Sequence, residues 1–404
     1  MTTHRGQSWL LADRHILDPD DRASQQLLAL AHSRQTRPLC QCLDGGVETY
    51  VARTPGGRYI IKRLPNSGPR HHPDCDSYEP PQGLSGRSSI TREEDAAGAT
   101  VLRLGFPLRR DQGQPSAPTT RSSGPGHSPR HHSDPIGVVS LEALLHYLWD
   151  EAGFTRWSPK MAGKRNWSLI RYHLLRVAEQ TIIDGQPLDQ LTWIPEPFDR
   201  RHRDEIEARR QQAWDPLGRA DSQHPGARRF GLAVVEWASI KPARYGQAIT
   251  IRQLARPPFM VDDDVIATLR ARFPQRELHA QNTGGHLLMA ATFSLSRGGY
   301  PVVEDAGFLA TDAHWLPYDS PAGHQLLQTA VDGGRRFTTP LRYGMPTSQP
   351  TPAIVLTDTP EPVAAYIADD QAGADRAQQA AAEANVAAWV WRTEQALPPL
   401  PPGR

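Results

Sequence analysis

Apolar positions along this chain fall into short runs whose period changes, and the changes predict most of its elements. Residues 47–53 and 58–64 are rich in Val, Tyr and Ile and flank Thr54-Pro55-Gly56-Gly57, so they read as a β-hairpin. Ahead of it, residues 8–34 read as helical, with Asp18-Pro19-Asp20-Asp21 opening the series Leu27, Leu28 and Leu30. Residues 99–108 form a third expected strand. Ser140 then caps a helix in which Leu141, Leu144, Leu145 and Leu148 share one face and Gly153 ends the run. Residues 166–183 make a second helix that buries Leu169, Ile170, Leu174 and Val177. The charged stretch 197–228 reads as a solvated helix and loop.

Alternation returns at 230–240 and 247–254, two strands around Pro242-Ala243-Arg244-Tyr245-Gly246. Asp262-Asp263-Asp264 opens a helix to Phe273, with its acids at the positive end of the dipole. Residues 286–295 and 300–310 form a further hairpin across Ser296-Arg297-Gly298-Gly299. The last third reads as helix 321–332, strands 336–343, 353–357 and 363–368, helix 372–385 and strand 386–392, then a Pro-rich tail.

The expected fold class is therefore multidomain α+β. Residues 1–110 hold a helix and a zinc-binding β-hairpin module. Residues 111–135, mostly Pro, Ser and Gly, form a flexible linker. A helical region follows over 136–228, a hairpin/helix/hairpin region over 229–318, a mixed α/β core over 319–393 and a tail over 394–404.

Composition narrows the function classes. Mean hydropathy is -0.55 and no run approaches the ~20 apolar residues of a membrane span, so no membrane role is expected. The first residues lack a charged-then-apolar leader, which implies a cytoplasmic chain. Net charge is +1, so the whole molecule exerts no long-range pull on nucleic acid. Only Lys62, Lys160, Lys164 and Lys241 among the 45 cations are lysines; an Arg- and Ala-rich chain of this kind reflects a GC-rich genome.

The three cysteines, Cys40, Cys42 and Cys75, are clustered, and in a cytosolic chain such clustering points to metal rather than disulfides. The hairpin returns the chain to its starting point, so Cys40-Gln41-Cys42 and His71-His72-Pro73-Asp74-Cys75 converge at one end. Three thiolates and one imidazole, from His71 or His72, give the tetrahedral set that a structural Zn²⁺ accepts, with no position left open for catalysis. The plain alternative is three reduced thiols in a small core. Pro129-Arg130-His131-His132 echoes Pro69-Arg70-His71-His72 but carries no cysteine and falls in the linker.

These motifs, with LLHYLWDEAGFTRWSPKMAGKRNW, RRFTTPLRY and AIVLTDTPEPVAAYI, resemble a bacterial family of uncharacterised proteins described by three N-terminal cysteines. The resemblance covers most of the chain apart from the linker and tail. It implies carriage on plasmids and integrative conjugative elements and supplies no mechanism.

Two further constellations bear on function. Arg156, Lys160, Lys164, Arg165 and Arg171, interleaved with Trp157 and Trp167, suit phosphate contact and base stacking. The gap between the flanking helices is too long for a helix-turn-helix, and the bland alternative is a loop anchored by its tryptophans. The order of elements after residue 319 resembles the restriction-endonuclease-like core, and a zinc knuckle ahead of such a core resembles competence-related nuclease-like proteins. The metal-binding residues of that core are missing, however. Pro352-Ala353 stands where Pro-Asp belongs, Ala364-Ala365-Tyr366-Ile367 replaces the Asp/Glu-x-Lys strand, and Asp358, Glu361, Asp369 and Asp370 fall in turns. No Walker loop, dinucleotide fingerprint, Gly-x-Ser-x-Gly or His-Glu-x-x-His is present. The expectation is a mobile-element protein with structural zinc that binds DNA, RNA or another element protein without catalysis. A metal-dependent nuclease and a structural assembly subunit are the alternatives.

Overall fold

A computed structural model describes residues 7–90, 93–94, 99–111, 138–218, 227–244, 246–273, 283–346 and 348–404. Beyond Asp111, the expected linker lies outside the described residues. The chain is a mixed α+β protein with several sheets.

The N-terminus differs from its expected helix. Trp9–Leu11 and Arg14–Ile16 pair antiparallel, with Ala12 and Asp13 turning at φ 46° and 63°. Trp9, Leu11 and Ile16 all reach the core, so a period of two governs these residues. The helix spans only Arg22–Arg34, where the Asp21 carboxylate accepts the Ala23 and Ser24 N–H groups. Leu39–Cys40 joins Trp9–Leu11 to the hairpin Val47–Arg53/Tyr59–Arg63, completing a five-stranded sheet. Within the expected strand 99–108, only Thr100–Leu102 is extended, and it pairs parallel with Thr181–Ile183 rather than with the hairpin.

The centre of the molecule is a closed five-stranded barrel. Its strands, in chain order, are Gly231–Pro242, Gln247–Ile251, Leu254–Val261, His286–Leu295 and Pro301–Thr311. First pairs with second and second with third, both antiparallel; third pairs parallel with fifth, and fifth returns through fourth to the first. The Asp263–Arg272 helix lies between the third and fourth strands and contributes Ile266 and Leu269 to the barrel core. Val235, Ile249, Phe259, Met289, Phe293 and Phe308 fill the interior, with Phe259 and Phe293 edge-to-face at 5.4 Å.

Outside the barrel, Val234, Leu288 and Ala290 pack with Leu144, Leu145 and Leu148 of the Leu141–Glu151 helix. That approach is close: a Cβ on Gly307 would lie 2.4 Å from the Glu142 backbone N. The helix starts as expected, Ser140 accepting from Ala143 N. Asn166 plays the same part for Trp167–Glu179.

The C-terminal sheet orders Ala387–Arg392, Val363–Ala368, Ile354–Leu356, Phe337–Thr338 and Arg156–Trp157, only the first pair being parallel. Helix Pro321–Asp332 leads into Phe337–Thr338, and helix Gln371–Glu383 connects the two parallel strands. The strand expected over 336–343 shrinks to two residues, since Pro340 has no N–H for a ladder. The N-terminal segment reaches this sheet directly. Leu84 shares a core with Val355, Tyr366 and Ala381, and Gly86 N–H donates to Leu341 O. A Cβ on Gly86 would sit 1.8 Å from Arg342 O, so no larger residue fits there.

Candidate metal centre and the tryptophan loop

The knuckle is built by two short pieces of backbone. Cys40 is held in the sheet between Trp9 and Val47, and the chain leaves it towards Cys42. On the other side a 3₁₀ turn, Gly68–Arg70, hands the chain to His71, and Cys75 N–H then donates to His72 O at 2.8 Å. This brings together Cys40, Cys42, His71 and Cys75, whose ligand atoms all lie within 4.8 Å of one another. The three cysteines are free of disulfides.

The spacings are those of a coordination shell. Cys40 Sγ and Cys75 Sγ are 3.6 Å apart, and His71 Nδ1 lies 3.4 Å from Cys42 Sγ and 3.7 Å from Cys75 Sγ. Ligands about 2.3 Å from a tetrahedral ion lie roughly 3.8 Å from one another. Cys40, His71 and Cys75 are buried and Cys42 half-buried. The hydrogen bond with Cys40 and burial push the Cys75 thiol up to about 12. A divalent cation reverses that preference, because thiolate is the ligand form. Ser77 N–H, at 3.4 Å, and Gln7 Nε2, at 3.8 Å, both point donors at Cys75 Sγ, as outer partners of a thiolate do.

His71 therefore joins the cluster through Nδ1, with its Nε2 buried and unpartnered. His72 stays outside it: half-buried, its Nδ1 accepts Asp74 N–H. Residues on the knuckle also reach the C-terminal sheet. Asp74 pairs with Arg336 at 2.5 Å and Asp76 with Arg156 at 3.8 Å.

The tryptophan loop is arranged otherwise. Trp157 is 4% exposed and Trp167 8%, so neither ring is available for stacking on a base. Trp157 packs in the C-terminal core, while Trp167 Nε1 donates to Pro195 O at 2.8 Å. Arg165 threads inward and donates to the carbonyls of Phe154, Arg156, His314 and Trp315. Burial pulls its guanidinium down to about 10. Arg171 Nε donates to Ile194 O, and burial lowers it as well. With Trp193 and Trp214 it lines a cleft of about 1030 Å³ beside the barrel. Only Lys160 and Lys164 of the basic set stand exposed. The stretch is thus mainly a structural anchor, and the expectation of exposed aromatics is corrected.

The C-terminal carboxylates do not assemble a metal site. Asp358 is buried and held in a fork by Arg335, at 2.7 and 3.0 Å, and accepts Arg336 N–H. Asp370 caps the Gln371–Glu383 helix, and Asp369 accepts from Thr393 Oγ1 at 3.3 Å. Among the described residues, the Cys–His group alone has metal-holding geometry. Glu236 was absent from the sequence expectations. It lies buried in the barrel wall, where Arg252 and His286 meet its Oε1 and Gln253 its Oε2. Its position in an alternating strand carried no signal of these partners.

Fold and knuckle define a mixed α+β protein built round a five-stranded barrel, with a Cys₃His cluster able to hold a metal ion. The chain matches the family model described as "Protein of unknown function (DUF1173)" over residues 12–394, and it belongs to that family. No curated protein and no solved structure matches it. No helix among the described residues is long and apolar enough to cross a membrane.

Proposed function

We propose that this chain is a non-catalytic nucleic-acid-binding protein whose N-terminal knuckle is held by a structural zinc ion. The reading is carried by the barrel. A closed five-stranded barrel whose third strand runs parallel to its fifth, with a helix between the third and fourth, has the connectivity of oligonucleotide/oligosaccharide-binding barrels. Fold alone does not assign a ligand. The excess of exposed cations on this barrel favours a polyanion over a sugar.

Zinc suits the knuckle because three thiolates and an imidazole complete a tetrahedral shell and leave no open position. The ion's role there is to hold the small N-terminal sheet together. Carriage on a mobile element, implied by the family resemblance, fits a partner that is DNA, RNA or another element protein. A nuclease reading has the order of the C-terminal strands in its favour, but the Arg335–Asp358 fork occupies its most buried carboxylate.

The test is binding of labelled single- and double-stranded oligonucleotides to purified protein at two salt concentrations, with Mg²⁺ present. The expected result is salt-dependent retention of intact oligonucleotide. Cleavage abolished by Asp358→Ala would overturn the non-catalytic part, and no binding at low salt would overturn the whole.

A further inference from the structure

We infer that the face carrying Trp389 and Trp391 is a receptor for polyproline II segments. The chain's own Pro-rich tail fills it, and a proline-rich stretch of a partner protein displaces that tail. This partner site is separate from the nucleic-acid reading and does not depend on it. The tail's conformation follows from its sequence. Residues 397–402 read Leu-Pro-Pro-Leu-Pro-Pro. Each proline holds φ at about −65°, offers no N–H and pushes the residue before it to extended backbone. These residues join no helix or strand, and their exposure repeats at every third position. Pro399 and Pro402 are exposed, whereas Leu397, Pro398, Leu400 and Pro401 are half-buried. A period of three is that of a polyproline II helix lying on a surface.

The surface beneath is matched to such a ligand. Trp389 and Trp391 lie two apart on Ala387–Arg392, the edge strand of the C-terminal sheet, so their rings project to one face. Leu397 and Leu400 pack against the same apolar cluster as both rings. A segment so rich in proline is a row of acceptors with few donors, and side chains of the groove supply donors. Trp389 Nε1 donates to Pro399 O at 3.3 Å and Arg335 Nη1 to Pro401 O at 2.6 Å. Trp391 Nε1 closes the turn into the tail by donating to Gln395 O at 3.0 Å. Aromatic-lined grooves that take a preformed, low-entropy helix are the general mode of polyproline recognition.

The tail is held in a way that allows exchange. Residues 393–396, which lead into it, are exposed, and no residue of 397–402 is fully buried. Beyond the prolines, Arg404 N–H donates to Asp358 O at 2.7 Å and the Arg404 guanidinium to Pro360 O, both at the surface beside the Arg335–Asp358 fork. A partner segment with the same Leu-Pro-Pro spacing makes the same groove contacts, so displacement is a competition of concentrations. A tail on a short exposed hinge competes at an effective concentration in the millimolar range. The tail is therefore a gate, which lowers the apparent affinity of any partner by the fraction of grooves it leaves open.

The experiment is fluorescence anisotropy with a labelled peptide of residues 395–404 and the full-length protein. Leu397→Asp with Leu400→Asp frees the tail, and this variant should bind the peptide at least tenfold more tightly than wild type does. Adding Trp389→Phe, which keeps a ring but removes the donor to Pro399 O, should weaken that binding about fivefold. A peptide carrying the same two aspartates should not bind. Absence of binding by the folded, tail-released variant would overturn the proposal. If that variant does not fold, hydrogen exchange of the wild-type chain decides. Unlabelled peptide at about 10 mM, above the effective concentration of the tail, should speed exchange at the Arg404 N–H, and unchanged exchange would overturn the proposal. Dimers of the wild-type chain that Leu400→Asp abolishes would assign the groove to the tail of a second copy and overturn the partner reading.

Discussion

The Cys–His knuckle and the tryptophan loop are both short segments crowded with residues that chemistry uses, and folding treats them in opposite ways. In the knuckle, four side chains from two stretches of backbone turn towards a common point. In the loop, rings and guanidinium groups turn inward to fill a core and to bond carbonyls that no strand or helix satisfies. The contrast comes from what else each side chain can do. Three thiols and one imidazole whose ligand atoms all lie within 4.8 Å of one another have few structural uses. A tryptophan buries a large apolar surface, and an arginine has five donors for orphan carbonyls. Cysteine clusters therefore signal chemistry more specifically than basic aromatic stretches do.

The sharpest way to break the comparison is to remove a ligand. Cys75→Ser should release the metal and unfold the N-terminal sheet, lowering the thermal transition or splitting it in two, because metal binding energy is folding energy. His71→Ala should act similarly, while His72→Ala should keep the metal; metal analysis of the three proteins checks this. Next in size is Asp358→Ala, which leaves the Arg335 guanidinium buried without its carboxylate and should cost about 3–5 kcal/mol in denaturant unfolding. Burial raises the Asp358 carboxyl, but the Arg335 hydrogen bonds outweigh it and hold the group below its usual 3.8. The stabilisation is thus present at neutral pH and lost as pH falls through and below that value. In Asp358→Ala the acid limb of the stability–pH curve should flatten.

The loop sharpens the comparison from the other side. Arg165→Ala should cost about 2–4 kcal/mol, since its carbonyl partners lose a charged donor. Lys164→Ala, one residue away and exposed, should stay within about 0.5 kcal/mol. Similar losses at both positions would show that the loop is not an anchor.

Local pattern carried much of this architecture. The hairpin at Val47–Arg53, the capped helices after Ser140 and Asn166, and the strand Val363–Ala368 follow from alternation, cap residues and turns. What failed was long-range. Nothing in the alternation of 231–242 says that it closes a barrel with 286–295, because closure depends on shear and twist accumulated over five strands. Trp9, Leu11 and Ile16 fit a helix when read with Leu27 and Leu28, and only the partner strand at Cys40 decides for extended backbone. At the candidate site the cysteines were legible. The choice between His71 and His72 was not, because a single 3₁₀ turn sets which ring faces the cluster.

Native mass spectrometry of protein purified without chelator tests the central claim most directly. One zinc ion per chain, lost in Cys75→Ser and retained in His72→Ala, is the predicted result. A folded wild-type chain at its apo mass, or a Cys75→Ser chain that still carries one zinc, would contradict it.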